Sequence, residues 1–169
     1  SEDEAKKWYN ANKTKLGFEV HVKHILIIPK GGSLTDEKEA NKKAEQIRRD
    51  ILSNPSSFES MAAQYSEDRG SAKNGGDIGW QMLAQLDPYF AGNVYRMNKE
   101  GQISSVFKSG FGYHIVKFLG KRPLTYDKVE RMIMYKLYTE NSQAQFRKWV
   151  NQRKNEASIK IYMEGYVKG

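Results

Sequence analysis

Two histidines sit on strand faces that are otherwise apolar. In residues 18–28, His24 shares one face with Phe18, Val20, Val22, Leu26 and Ile28, because side chains alternate across a strand. In residues 111–119, His114 shares a face with Val116 and Phe118. An imidazole in such surroundings has two possible duties. It either satisfies its own hydrogen bonds with a buried partner and fixes the sheet, or takes part in chemistry near neutral pH. Both duties are open here, and one pair could perform both. If the first and last strands are neighbours, the two rings can meet inside the protein. A metal site is the weaker reading: His21 points to the opposite side of the strand from His24, and the chain has no cysteine. The run Gly75-Gly76-Asp77-Ile78-Gly79 lacks the G-x-x-x-x-G-K-[ST] pattern of a phosphate cradle, so its glycines suit a tight turn into a short strand. Trp80, next in the chain, reads as core or sheet edge.

The elements that must position these residues follow from pattern. Residues 1–17 carry Ala5, Trp8, Tyr9 and Leu16 at roughly helical intervals, with Gly17 as a stop. The strand over 18–28 ends at Pro29 and Gly31-Gly32. A helix then opens with Thr35 as its cap and Asp36 and Glu37 in its first turn, and buries Ala40, Ala44, Ile47 and Ile51. After Asn54-Pro55, Ser56 and Glu59 have capping-box spacing ahead of Phe58, Met61, Ala62 and Tyr65. A polar, Gly-rich stretch covers 66–79, with a short strand near Ile78. Asp87-Pro88 starts another helix, whose core face is Phe90, Val94 and Met97. Strands over 103–107 and 111–119 close the region around a turn at Lys108-Ser109-Gly110. A long helix over 125–155 carries Val129, Met132, Ile133 and Leu137, then Phe146, Trp149 and Val150. This interrupted stripe suits packing on the N-terminal helix, or a surface for clients or a second copy. Residues 158–162 alternate like an edge strand. The order predicts an α+β fold, a small antiparallel sheet flanked by helices, divided into 1–17, 18–121 and 122–169.

Composition narrows the classes. Of 169 residues, 38% are hydrophobic and 28% charged, enough for one real core. No run of about 18 apolar residues exists to form an integral membrane segment. The start, Ser1-Glu2-Asp3-Glu4-Ala5, is acidic and polar, unlike a secretory signal. Without cysteine there are no disulfides and no thiolate metal sites. The formal net charge of +8 is spread along the chain rather than gathered into a nucleic-acid motif, so it reads as a solvated surface with no nucleic-acid partner.

Four blocks, VKHILI, FESMAAQYSEDRGSAKNGGDIGW, GQISSVFKS and FGYHIVKF, occur in an order that resembles the parvulin family of peptidyl-prolyl isomerases. The resemblance covers about 100 residues, from Glu19 to Lys121. It implies a four-stranded antiparallel sheet with about four helices, plus the additional terminal helices read above. The family's two core histidines fall on His24 and His114, its Cys/Asp position on Asp68, and its hairpin hydroxyl on Ser109. Its proline pocket falls on Leu86 and Phe90, with Ile78 and Phe107 near it. Leu86 departs from the family's usual Met, which keeps the volume and loses adaptability. The resemblance implies that Asp68, Leu86, Phe90 and Ser109 touch the substrate while the histidines frame the site.

The loop Pro29-Lys30-Gly31-Gly32-Ser33-Leu34 offers one lysine and no arginine, so it lacks the bidentate grip of phospho-specific parvulins. The flanks, including YNANKTKL and the long C-terminal helix, are similar to bacterial exported foldases of the SurA and PrsA type. That similarity implies rotation of X-Pro bonds in unfolded client polypeptides, without cofactor or metal and without covalent attack, in a periplasmic or extracytoplasmic setting. It leaves open a catalytically weak chaperone module, and a homodimer through the terminal helices.

Overall fold

The computed structural model describes residues 1–156; the strand expected over 158–162 lies outside them. The chain divides into two compact units, residues 12–125 and a helical unit built from both ends. In the larger unit the sheet order is β2 (Asp77–Met82), β1 (Phe18–Ile27), β4 (Gly112–Pro123), β3 (Phe107–Ser109), with all neighbours antiparallel. The first and last strands are therefore the central pair. His24 lies opposite Val116 and His114 opposite Leu26, so the histidines are diagonal neighbours on one face, where long side chains reach each other.

Both faces of the central pair are covered. One packs Ile25, Ile27 and Ile115 against α2 (Leu34–Ser53) and α3 (Phe58–Tyr65), through Ala40, Ala44, Ile47, Ile51, Phe58 and Ala62. Each fully buried isoleucine there contributes about 1.5–3 kcal/mol. The other packs Val20, Val22, Val116 and Phe118 against Phe90 and Val94 of α4 (Pro88–Tyr95) and against Met97. The histidines belong to this second face.

Three local expectations need correction. Ser33, not Thr35, caps α2: its hydroxyl accepts from the Asp36 N–H while the Asp36 carboxylate accepts from the Ser33 N–H. Ser56 and Glu59 form no capping box, because Pro55–Ser57 is a turn of 3-10 helix and the Ser56 hydroxyl bonds Asn54. Glu59 instead reaches the sheet, accepting from Lys23 (2.8 Å) and Lys117 (3.0 Å). Burial opposes its ionisation, yet the two ammonium groups win and hold its pKa at about 2. The strand expected over 103–107 is displaced: Ile103 makes only an isolated bridge to Lys117, and β3 begins at Phe107. The hairpin turn is Gly110-Phe111, which places Ser109 inside the strand, opposite Gly112.

In the helical unit, α1 (Glu2–Asn12) packs on the first turns of α5 (Tyr126–Glu156), burying Ala5, Val129 and Ile133. Tyr9 meets Tyr126 edge-on at 5.6 Å, and the Lys136 ammonium lies over the Trp8 ring. Further along α5, Tyr135, Tyr138, Phe146 and Trp149 are exposed. Their positions fall within one narrow arc of a 3.6-residue helix.

Gly76 carries the close approach that holds β1 in register at the site. Its carbonyl accepts from the His24 N–H at 2.8 Å, its φ is +81°, and a Cβ there would lie 2.3 Å from the His24 carbonyl oxygen. Gly76→Ala is expected to cost about 2 kcal/mol or more, because it adds a left-handed strain to a clash with fixed backbone. Urea unfolding of the variant checks this; an unchanged midpoint would contradict the packing described.

Candidate functional site

The site is a line of hydrogen-bonded side chains drawn from four segments. His24 Nε2 lies 2.8 Å from Asp68 Oδ2, His24 Nδ1 lies 3.4 Å from His114 Nδ1, and His114 Nε2 lies 2.7 Å from Ser109 Oγ. The line is tied at both ends. The Ser71 hydroxyl donates to Asp68 Oδ2, and the Gly70 N–H to Asp68 Oδ1 at 3.1 Å. The Phe111 N–H donates to Ser109 Oγ at 3.0 Å.

With both rings neutral, the donors order in one direction only. An ionised Asp68 accepts, so His24 carries hydrogen on Nε2 and accepts at Nδ1. His114 must then donate from Nδ1 and accept at Nε2, which takes the Ser109 hydroxyl hydrogen. Ser109 in turn accepts from Phe111. Every hydrogen points towards Asp68. The contact between the rings is the longest of the line and near the limit for such a bond; the rings are near-parallel, 15° apart in plane with centroids at 5.6 Å, as an edge-to-edge contact requires.

Electrostatics follow the burial. His114 is 3% exposed. Desolvation, followed by the neighbouring His24, pushes its pKa down to about 4. At Asp68, burial opposes ionisation, but hydrogen bonds from Ser71, His24 and the Gly70 amide outweigh it and lower its pKa. Packing completes the support. The Phe107 ring stacks on His114 at 5.3 Å, and Phe90 meets His114 and His24 edge-on at 5.1 and 5.7 Å.

The rings open onto a small cavity of about 140 Å³, lined by His24, His114, Ile78, Leu86, Phe90, Asp87 and Phe111. Its size is close to the roughly 150 Å³ of an apolar cavity that holds a benzene ring. Of the residues expected from sequence, His24, His114, Ile78, Leu86 and Phe90 border it. Asp68 and Ser109 bond to the histidines without bordering it, and Phe107 packs on His114 and Phe90 rather than on the lining. Three residues of the site were not singled out for it. Ser71 gives no signal beyond its three-residue spacing from Asp68. Asp87 reads in sequence as a helix cap, which it also is, accepting from the Tyr89 and Phe90 amides. Phe111 reads as a strand residue and is instead half of the hairpin turn.

The chemistry is bounded by this layout. The order hydroxyl, imidazole, imidazole, carboxylate superficially resembles an acyl-transfer triad. However, Ser109 is 6% exposed, lies off the cavity and accepts a backbone N–H, so it has no path of attack on a bound group. The arrangement is a ring-sized, largely apolar slot with one side open and a fixed polar wall. Protonating His114 would reverse its bond to Ser109, whose hydroxyl would have to accept from Nε2, and would put a charge in the core. Because its folded pKa lies below the unfolded value of about 6.5, this group's stabilising contribution is complete above pH 6.5 and is lost as pH falls towards about 4, by up to about 3 kcal/mol. Urea unfolding from pH 8 to 4, read beside the His114 ring proton shifts, is expected to show that decline with His114 neutral until about pH 4; titration of His114 near 6.5 would contradict it.

The chain is 36% identical over 149 residues to Chaperone SurA of Shigella dysenteriae, a match covering 85% of this chain and 33% of that protein. The chain thus spans about a third of the length of that relative. Among solved structures, a PpiC-type peptidyl-prolyl cis-trans isomerase domain superposes with a TM-score of 0.58 at 27% identity, covering 66% of this chain and 97% of that one. The peptidylprolyl isomerase PrsA of Bacillus anthracis gives 0.56 at 28% identity, covering 95% and 70%. The family model for the rotamase, or PPIC-type PPIase, domain matches residues 24–120, more than half of the chain, and with the parvulin-like sheet and its paired central histidines the chain belongs to that family.

Proposed function

We propose that this chain is a peptidyl-prolyl isomerase that rotates X-Pro bonds in unfolded polypeptide without forming a covalent bond to it. The observation that carries this reading is the apolar, ring-sized slot whose floor is the His24–His114 pair. The barrier to overcome is amide resonance, about 18–20 kcal/mol for rotation. A twisted amide has lost that resonance, so its carbonyl oxygen is less negative and its nitrogen more basic. A site that holds the proline ring in an apolar slot and offers the carbonyl no strong donor therefore favours the twisted form over the planar one. Ile78, Leu86 and Phe90 hold the ring. With both rings neutral, the histidines form a wall whose hydrogens are already committed towards Asp68, so none is spent on the ground-state carbonyl. Asp68 and Ser109 are positioning groups that keep the wall in one tautomer. The Asp68 carboxylate is engaged by three donors, in keeping with a reaction that makes no acyl intermediate.

The residues following β1 support a site that is not phospho-specific, since Lys30 stands there without an arginine. The likeness to SurA and PrsA supports clients that are unfolded, exported proteins in an extracytoplasmic compartment; no helix among the described residues is long and apolar enough to cross a membrane. We assign isomerase work to residues 18–121 and a chaperone role to the flanks at 1–17 and 122–169. The exposed Tyr135, Tyr138, Phe146 and Trp149 of α5 favour a second reading in which the chain chiefly holds unfolded polypeptide, or pairs with another copy of itself through that helix.

A protease-coupled assay on a short Ala-Pro peptide tests the proposal. Spontaneous exchange takes tens to hundreds of seconds, and micromolar protein is expected to shorten it. Leu86→Ala should lower kcat/KM about tenfold, the loss of roughly 1.4 kcal/mol of ring contact, and Asp68→Ala should lower kcat by freeing the histidine wall. No acceleration by the unaltered chain would leave only the chaperone reading. Unchanged kinetics in both variants would move the site elsewhere.

A further inference from the structure

The two histidines aside, one ionisable side chain borders the cavity, and the ring-holding role does not use it. Asp87 is half-buried at the rim, between Leu86 below and the hairpin turn across the opening. Both of its capping bonds go to Oδ1. Its Oδ2 faces the turn, 3.8 Å from where a Cβ on Gly110 would stand. No cation among the described residues forms an ion pair with it. The hairpin's own lysine, Lys108, is held away by Glu37 at 2.7 Å and lies over the Tyr113 ring. Phe111, 67% exposed, lines the same opening and presents its ring to whatever leaves the slot. A carboxylate oxygen and an exposed aromatic ring flanking one opening match the two things a long cationic side chain needs: an opposite charge for its head and a face for its stem.

We propose that Asp87 is a specificity-determining residue of this pocket, and that it selects polypeptide in which a lysine or arginine adjoins the proline. This rests on the isomerase reading for what the slot holds. A proline seated on the histidine wall must carry its neighbouring residues out past the rim, where the Asp87 carboxylate is the one carboxylate lining the opening. Glutamate or a phosphorylated residue in the same place meets repulsion. The rim therefore opposes phosphate by its own charge, independently of the missing arginines in the loop after β1. A surface contact of this kind is screened by salt, so the preference is strongest at low ionic strength.

The test uses the whole chain and four peptides of the form Ala-Xaa-Pro-Phe, with Lys, Arg, Leu or Glu at Xaa, and a matching set with the variable residue after the proline. NMR titration measures binding, and exchange spectroscopy on the same samples measures isomerisation. In at least one set, the Lys and Arg peptides are expected to exceed the Glu peptide by about two- to fivefold in affinity or in kcat/KM, the range for a solvent-exposed ion pair. In Asp87→Asn, which keeps the helix cap because Asn caps as well as Asp, that ratio is expected to fall to about one, with the melting temperature confirming that α4 is intact. Equal Lys and Glu peptides in both sets, or a ratio that survives Asp87→Asn, would overturn the proposal. If the peptides bind with the charge preference but exchange no faster than in buffer, the isomerase reading fails and the assignment of Asp87 stands. If they are isomerised without preference, the reverse holds.

Discussion

Two imidazoles meeting on the central strands of a small sheet set the terms for the rest of the site. Each ring has two nitrogens, and a buried nitrogen left without a partner is costly. The diagonal register of β1 and β4 brings one nitrogen of each ring together and leaves one outer nitrogen on each side. Those outer nitrogens fix what must stand beside them: an acceptor at His24, supplied by Asp68, and a hydroxyl at His114, supplied by Ser109. Ser71, Gly70 and the Phe111 amide then satisfy these two in turn. The polarity of the whole line is set at Asp68, by a carboxylate that burial disfavours and hydrogen bonds retain.

The same line explains why the cavity is suited to rotation and poorly suited to bond cleavage. Its hydroxyl is buried and its carboxylate is engaged. Its imidazoles are bonded to each other and braced by Phe90 and Phe107, so the surface they offer is fixed and weakly polar. Leu86 and Ile78 complete the slot without adding a donor. Asp87 is the exception at the rim, where a charge can act on the residues beside a bound ring without entering the slot.

Much of this was legible in the sequence, and the parts that were not share a cause. Alternation placed His24 and His114 on apolar faces, and the α2 stripe of Ala40, Ala44, Ile47 and Ile51 is buried as its spacing implied. Local chemistry with two near-equal options was not legible. Ser33 and Thr35 are both good caps, and the loop path ahead of α2 decides between them. Glu59 has capping-box spacing from Ser56, but two lysines on strands far away in sequence outweigh that local bond. The last hairpin slipped because residues 103–109 contain apolar residues on both sides of any proposed turn. Its register is fixed by Ser109 meeting His114, a contact visible only in three dimensions. Ser71 and Asp87 were hidden for a related reason, since a loop serine and a helix cap look alike whether or not a site lies beside them. The departure of Leu86 from methionine was readable at once, and it borders the cavity.

The central claim is that the histidine pair is a wall with its hydrogens directed towards Asp68. Nitrogen-15 NMR of the two imidazoles at about pH 7.5 tests this most directly, because the two nitrogens of a neutral ring have well-separated shifts according to which carries the hydrogen. The account predicts hydrogen on Nε2 of His24 and on Nδ1 of His114. Hydrogen on Nε2 of both rings, or a doubly protonated His24 donating to His114, would reverse or break the line and contradict it.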